Sequence, residues 1–534
     1  MKNRKFSFGY FKSRFFLDVL LFVIIINIPF ILDVIKHNSS RFYIALFISL
    51  AAPFVAIIAF NLKPVKFAVI SFFILIVSII YDVQFLEYRN YVNISTWSTI
   101  LDSYIDEAQE FAKGMNTNTF LLILFQIVAY IFFFTRSFRS ALPDFSKRAK
   151  RIAALLLLLL VVDFVFKGAS RKSFPFRGLY GLGNYIVTKY QEKNILETKK
   201  AYNYETSRLP EFDQNQKETI IIVIGESLRR DHLEYYGYPL PTTPLIKNEN
   251  IIAYTDVVSA ANQTINALKR VFTPVEHLDE KDYWNKPSFI TLFKDVGFKT
   301  FWITNQYVYG RHESQASFIA RETDKFISNR PSNYDEILIP ELKKVLQDTA
   351  QKKLIFLHLM GNHAGYSHRH PKTFNFFHPE KAVDKKEKMI RSYDNAVRYN
   401  DYILHKVLQL LKQQKGESTF IMFSDHAESL YDAYPDYAYH GTEKPSKTEV
   451  EIPLIIWFSD TFKKHHPHIV QQVIKNKNLP VISYDFFHAI PGLFGIRFID
   501  YKAENDFFGP SYIPKTKRKI INVNLELLNY DDLK

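Results

Sequence analysis

The side chains that could do chemistry recur at one kind of place, just after short apolar runs. Glu226 follows the β-branched run 220–224 and Gly225. Asn305 follows FWIT, His358 and His363 end IFLHLMGNH, and Asp425 and His426 end FIMFSDH. His440 and Gly441 follow in a Tyr- and Pro-rich loop. The chain contains no cysteine, which excludes a thiolate nucleophile and thiolate metal ligands. A transition-metal site must therefore draw on His, Asp, Glu or a hydroxyl. Ser and Thr are the first choices for a nucleophile.

Thr264, in SAANQTINALKRVFT, stands ahead of a helical pattern over 265–271. Free N–H groups at a helix start suit phosphate, and a divalent metal beside a hydroxyl lowers its pKa. The competing reading makes Thr264 only a helix N-cap. Glu226 is open in the same way. It could hold a metal, or it could cap a helix starting at Leu228 with help from Ser227. Asp425 and His426 could be a structural pair, but Glu226 and His440 at analogous positions favour a metal.

The elements that must position these residues alternate. ETIIIVIGE, FKTFWITN, KLIFLHLMGNH, STFIMFSDH and EIPLIIWFS read as strands, and residues 287–296, 334–349 and 382–415 as helices. This predicts a largely parallel sheet with helices on both faces. In such sheets ligands bind beyond the carboxyl ends of the strands, where the carboxylates and imidazoles fall. A metal-dependent hydrolase or transferase is expected there.

The first part of the chain is different. Mean hydropathy is only −0.10, yet five strongly apolar stretches cover 15–32, 43–60, 67–81, 120–134 and 152–166. Each approaches the length of a membrane span, and no small-residue cleavage site marks a signal peptide. Residues 1–168 thus read as a five-helix anchor, 169–216 as an amphipathic interfacial linker, and 217–534 as the catalytic domain. Basic residues precede the first span (Lys2, Arg4, Lys5, Lys12, Arg14) and fill the stretch between the fourth and fifth (Arg136, Arg139, Lys147, Arg148, Lys150). By the positive-inside rule the N-terminus is cytoplasmic and the catalytic domain lies outside. Asp18 and Asp163 fall near predicted span ends, which favours interfacial placement. The stretch 82–119 is acidic and long for a connector. Tyr91, Ile94, Trp97, Ile100, Leu101 and Tyr104 give it an amphipathic pattern that could lie on the membrane surface. The net charge of +14 is partly cytoplasmic, so anionic lipid or phosphorylated saccharide suits it better than nucleic acid.

Read together, GES after the first strand, YGY…TTP, Asn-Gln after a strand, MGNH, YDNAVRYND, SDHAES, HG and IPLIIW resemble the phosphoethanolamine transferases of Gram-negative envelopes. The resemblance covers nearly the whole chain. It implies an inner-membrane anchor of five helices and a periplasmic domain of alkaline-phosphatase/sulfatase type. It implies a zinc site of Glu226, Thr264, Asp425 and His426, with one or two zinc ions, and Thr264 as the nucleophile carrying phosphoethanolamine. His363 and His440 match positions that hold the phosphate or a second zinc, and Asn305 one near the ethanolamine phosphate. The implied donor is phosphatidylethanolamine. The implied acceptor is lipopolysaccharide or lipooligosaccharide, on a core sugar or lipid A. Members that modify lipid A are stapled by disulfides, which this chain lacks, and their nucleophile segment is Cys- and Ser-rich. Both departures favour an acceptor in the core.

Three rivals share parts of this pattern. Ser173-Phe174-Pro175-Phe176-Arg177 fits the sulfatase motif literally, but precedes the first metal strand instead of following it. A glycerol-phosphate transferase would use the same Thr and metal chemistry, although GES and SDHAES favour ethanolamine. A non-catalytic envelope-assembly protein would not need every expected ligand.

Overall fold

The computed structural model describes residues 14–37, 40–88, 92, 96–97, 100–101, 115–142, 145–166, 173–174, 176–212, 215–279, 281–306, 315–328, 332–434 and 437–534. The described residues up to Lys189 form one compact unit and those from Tyr190 onward a second.

The first unit is helical. Helices Arg14–Ile26, Ile28–His37, Ser40–Phe60, Pro64–Tyr88, Thr117–Ser137 and Lys147–Val165 occupy all five predicted apolar stretches. Among the described residues, three helical segments are long and apolar enough to cross a membrane: Phe42–Phe60, Pro64–Glu87 and Thr117–Ser137. The pair Arg14–Ile26 and Ile28–Ile35, bent by 61°, passes the same test only when its two helices are taken together, as one broken span or a re-entrant segment. The bend falls where Pro29 has no N–H to continue the ladder and Asn27 Nδ2 donates back to Val23 O at 2.8 Å. Helix Lys147–Val165 spends its first turns on Lys147, Arg148, Lys150 and Arg151, which shortens its apolar run. The unit is thus a membrane region of three to four spans by length and composition. Asp18 is buried and paired with Arg136 (Oδ2 to Nε, 3.0 Å), so a partner within the unit accommodates its charge. In the stretch 82–119, Trp97 is buried and its Nε1 donates to Gly178 O at 2.8 Å. Tyr91, Ile94 and Tyr104 lie outside the described residues. The predicted linker contains the helix Phe176–Lys200.

The second unit is built on a seven-stranded sheet. Its strands are β1 (Glu218–Gly225), β2 (Ile252–Tyr254), β3 (Lys299–Thr304), β4 (Lys325–Ser328), β5 (Lys352–His358), β6 (Glu417–Ser424) and β7 (Leu454–Phe458), in the order β2-β7-β6-β1-β5-β3-β4. The pairings from β6 through β1, β5 and β3 to β4 are parallel. β7 runs antiparallel to both β6 and β2, so the sheet is mixed.

β1 is central and buried along its whole length, as its unbroken apolar run requires. Its alternate residues feed two cores. Ile220, Ile222 and Ile224 pack with Leu268, Phe272 and Phe356. Ile221 and Val223 pack with Val397, Leu404 and Leu408 of the helix Lys385–Lys412. Each fully buried side chain of this size contributes about 1.5–3 kcal/mol. The other two predicted helices are present as Phe289–Asp295 and Leu338–Leu346.

Candidate active site

Register brings the site together. Gly225 of β1 lies opposite Ser424 of β6, and Ile224 lies opposite His358 of β5. The next residues on the first two strands, Glu226 and Asp425, therefore leave the sheet side by side. Thr304 of β3 also lies opposite His358, which sets Asn305 at the same edge.

Glu226, Asp425 and His426 are buried and offer ligand atoms all within 4.8 Å of one another. Thr264 joins them, its Oγ1 donating to Glu226 Oε2 at 3.1 Å and lying 3.2 Å from His426 Nε2. Thr264 is the first residue of the helix Thr264–Phe272, and Gln263 is the N-cap. The capping reading of Thr264 is therefore replaced: its hydroxyl faces the carboxylate and imidazole. The capping reading of Glu226 is replaced too. No helix starts at Leu228, and only the short 3-10 turn Arg230–His232 follows. Ser227 instead adopts a left-handed φ of 56°. This strained turn aims its N–H at Asp425 Oδ1 (3.2 Å) and its Oγ at Glu226 Oε1 (2.8 Å).

The donor set fits a metal ion. His426 Nδ1 donates to Ala427 O at 2.9 Å, which leaves the Nε2 lone pair for a ligand, the arrangement usual for a ligating histidine. Asp425 Oδ2 is buried with no hydrogen-bond partner, although buried polar atoms are normally paired. The electrostatics agree. Burial and the neighbouring Glu226 push the Asp425 carboxyl up to about 7. Burial opposes charge on His426, but Asp425 and Glu226 prevail and lift it to about 10. Burial also opposes charge on Glu226, and the histidines His426, His363 and His440 outweigh it, holding that carboxyl below its ordinary range. Without a cation the cluster retains protons, and a divalent ion would replace them.

The remaining predicted residues divide. His440 packs against His426, ring centroids 4.0 Å apart and planes tilted by 43°, and its Nδ1 faces the buried Glu428 at 3.2 Å. His363 carries a buried Nδ1 with no hydrogen-bond partner, and its carbonyl accepts from Arg369 Nε at 3.1 Å. Asn305 is buried with its amide already engaged. Nδ2 donates to Ser332 O and Asp335 Oδ1, both at 2.9 Å, and Oδ1 accepts from Ser332 N at 2.8 Å. Asp335 in turn accepts from Met360 N and Gly361 N at 2.7 and 2.9 Å, so Asn305 braces the loop that leads to His363.

The sequence offers Ser227 only as a helix cap, and it gives no separate role to Glu428 or Asp335. Ser227 and Glu428 lie inside the GES and SDHAES runs. Asp335 carries no local signal, because it starts a stretch that reads as helix.

Gly361 has φ +53°, and a Cβ there would lie 2.9 Å from the backbone N and O of Glu226. Gly361→Ala is expected to cost about 1–3 kcal/mol through backbone strain and to lower metal content by displacing Glu226. Thermal melting and metal analysis of the full-length variant check this. An unchanged melting temperature with full metal content would contradict it.

Comparison with known proteins agrees with this geometry. The sulfatase family model matches residues 218–496. Phosphoethanolamine transferase EptC of Escherichia coli K12 is 28% identical over 375 residues, 65% of this chain and 64% of that protein. The match thus spans less than two thirds of that relative's length. The crystal structure of the C-terminal periplasmic domain of E. coli EptC in complex with Zn superposes with a TM-score of 0.56 at 27% identity. It covers 62% of this chain and 96% of that one. The integral membrane lipooligosaccharide phosphoethanolamine transferase A of Neisseria meningitidis shares the fold over 92% of this chain and 97% of its own, with a TM-score of 0.66 at 19% identity. A match across the whole sheet, with the metal-ready cluster at its edge, assigns the chain to the sulfatase family, and within it the chain is similar to the phosphoethanolamine transferases.

Proposed function

We propose that this protein transfers phosphoethanolamine from phosphatidylethanolamine to lipopolysaccharide or lipooligosaccharide through a phosphothreonine on Thr264. The observation that carries the proposal is the Thr264 hydroxyl, at the start of a helix and within 3.2 Å of both Glu226 and His426. Zinc is the proposed metal, one ion or two, with Glu226, Asp425, His426 and Thr264 as ligands. When bound, it supplies positive charge that lowers the hydroxyl pKa and offsets charge on the phosphoryl oxygens.

The protein's own groups do the rest. Glu226 Oε2 accepts a hydrogen bond from Thr264 Oγ1, which orients that oxygen for attack on the donor phosphorus. Thr264 Oγ1 gives up its proton and forms a bond to phosphorus as the bond to the diacylglycerol oxygen breaks, and that oxygen takes up a proton and leaves as diacylglycerol. The acceptor hydroxyl then gives up its proton and attacks the same phosphorus, and Thr264 is released with its hydroxyl proton restored. His363 and His440 hold the transferred group's oxygens, with His440 oriented by Glu428. Asn305 acts through the loop it braces.

The proposed setting is the bacterial inner membrane, with five spans, a cytoplasmic N-terminus and the catalytic domain in the periplasm. Helix Phe176–Lys200 exposes Leu179, Ile186, Val187 and Tyr190, which suits an interfacial linker. The absence of cysteine favours a core sugar over lipid A as acceptor. A reporter fused after Lys534 is expected to be active only outside the cytoplasm, and one fused after Lys147 only inside it. Cytoplasmic activity at the C-terminus would rule out both the five-span count and the lipid-linked donor.

The function itself is tested by incubating the full-length protein with phosphatidylethanolamine and mapping its peptides. A phosphoethanolamine adduct on Thr264 is expected, and Glu226→Ala should abolish it. Glycerol phosphate on Thr264 would overturn the donor, and formylglycine at Ser173 would make the protein a sulfatase.

A further inference from the structure

Outside the metal-ready cluster, one buried carboxyl group ties together the segments that carry Thr264, His426 and His440. Glu449 is fully buried. Its Oε2 accepts from Asn262 Nδ2 at 2.9 Å, and its Oε1 accepts from Thr442 Oγ1 at 3.0 Å and from Ser446 N at 3.2 Å. Its backbone carbonyl accepts from Ala427 N at 2.9 Å. Asn262 completes the link. Its carbonyl accepts from Gly441 N at 2.9 Å, and its Nδ2 also reaches Thr442 O at 3.1 Å.

Each of these partners adjoins a site residue. Asn262 stands two residues before Thr264, Ala427 follows His426, and Gly441 follows His440. Three segments far apart in sequence are thus tied at one point, and the tie is made of fixed hydrogen bonds instead of deformable apolar contacts. Asn262, Thr442 and Ser446 all present donors to this carboxyl group, which accepts from each. It therefore fixes the direction of the Asn262 amide as well as its position.

We infer that Glu449, paired with Asn262, is a positioning residue that sets Thr264 Oγ1 against Glu226 and His426 and sets His440 against His426. The kinetic part of this inference rests on the transfer reaction proposed above, and the geometric part does not. Misplacing a reacting atom by about 1 Å can cost on the order of a hundredfold in rate without touching the chemical groups themselves.

The test is an exchange of the two side chains in the full-length protein. Glu449→Gln turns an acceptor into a donor against Asn262, and Asn262→Asp sets two carboxylates against each other. Each is expected to lower kcat by about 10- to 100-fold, with KM for phosphatidylethanolamine nearly unchanged. The double variant restores an amide facing a carboxylate and should recover at least about tenfold of the loss. Crystal structures supply a readout independent of substrate. The Thr264 Oγ1 distances to Glu226 Oε2 and His426 Nε2, 3.1 and 3.2 Å here, should lengthen in the single variants and return in the double.

A purely structural role would instead lower the melting temperature while kcat per folded molecule stayed constant, and that result overturns the inference. So does a double variant that folds and recovers neither rate nor geometry. Should Glu449→Gln fail to fold, Thr442→Val removes the hydroxyl that donates to the carboxyl oxygens, 3.0 and 3.1 Å away, and is expected to lower kcat severalfold. Full kcat in that variant would also overturn the inference. If the unaltered protein transfers nothing from phosphatidylethanolamine, the proposed reaction fails, and the crystallographic distances still decide the role of Glu449.

Discussion

Thr264→Ala is expected to lower phosphoethanolamine transfer by about 10⁴-fold or more while leaving the fold intact. The hydroxyl it removes is the group placed between Glu226 Oε2 and His426 Nε2. The rest of the side chain does little for the helix. Thr264 is its first residue, Gln263 is the cap, and no side-chain cap bond is made there. Alanine is a better helix former than threonine by a few tenths of a kcal/mol, so the melting temperature should hold or rise slightly. That separates lost chemistry from lost structure. Thr264→Ser keeps the hydroxyl but loses the β-branch that restricts its rotamer, and it should keep activity within about tenfold to a hundredfold of the parent. The measurement is transfer to purified lipopolysaccharide or lipooligosaccharide, with melting curves for each variant. Thr264→Ala with activity within about tenfold of the parent would show that another hydroxyl is the nucleophile.

Much of this site was legible in the sequence because strand ends are local signals. The run 220–224 could only be a buried strand, and Gly225 and Glu226 had to follow it. The same logic placed Asp425, His426 and Asn305. What the sequence did not carry was direction and partnership. Leu454–Phe458 is a continuous apolar run, which reads the same whether its strand is parallel or antiparallel, and it runs antiparallel. Glu226 and Thr264 both sit where capping residues are common. Only long-range contacts distinguish a cap from a ligand, and those contacts span 38 residues or more between Thr264 and its partners.

Asn305 shows the same limit from the other side. Its type and position suit a ligand contact, yet Ser332 and Asp335 already engage its amide. The first apolar stretch reads in the sequence as one continuous run over 15–32. The 61° bend between its two helices is a tertiary outcome that composition alone does not give.

Asp425→Asn and His426→Ala are each expected to lower zinc affinity by about 10³-fold or more, beyond the 10- to 100-fold typical of outer-shell partners. Both remove an atom that the protein leaves available. Asp425 Oδ2 is buried without a hydrogen-bond partner, and with Nδ1 committed to Ala427 O His426 Nε2 is the ring nitrogen that faces Thr264, Glu226 and Asp425. The affinity should also depend on pH, with a sign that follows from the cluster's protons. In the metal-free protein burial disfavours the His426 imidazolium, but Asp425 and Glu226 raise it to about 10. At neutral pH an incoming ion must therefore displace that proton. Affinity should rise about tenfold per pH unit through the neutral range and level off above about 10. Asp425 is raised to about 7 by burial and by Glu226, so a second proton competes below that pH and the dependence should steepen there. Stability of the metal-free protein follows the opposite course. A histidine raised above its unfolded value stabilises the fold fully below about 6.5, and that contribution is lost as pH rises through about 10. Chelator competition across pH 6–9, with zinc content measured on the full-length protein, reads the affinity directly. A flat profile, or full zinc content in Asp425→Asn, would mean that the ion binds elsewhere and that this buried cluster is held together by its protons alone.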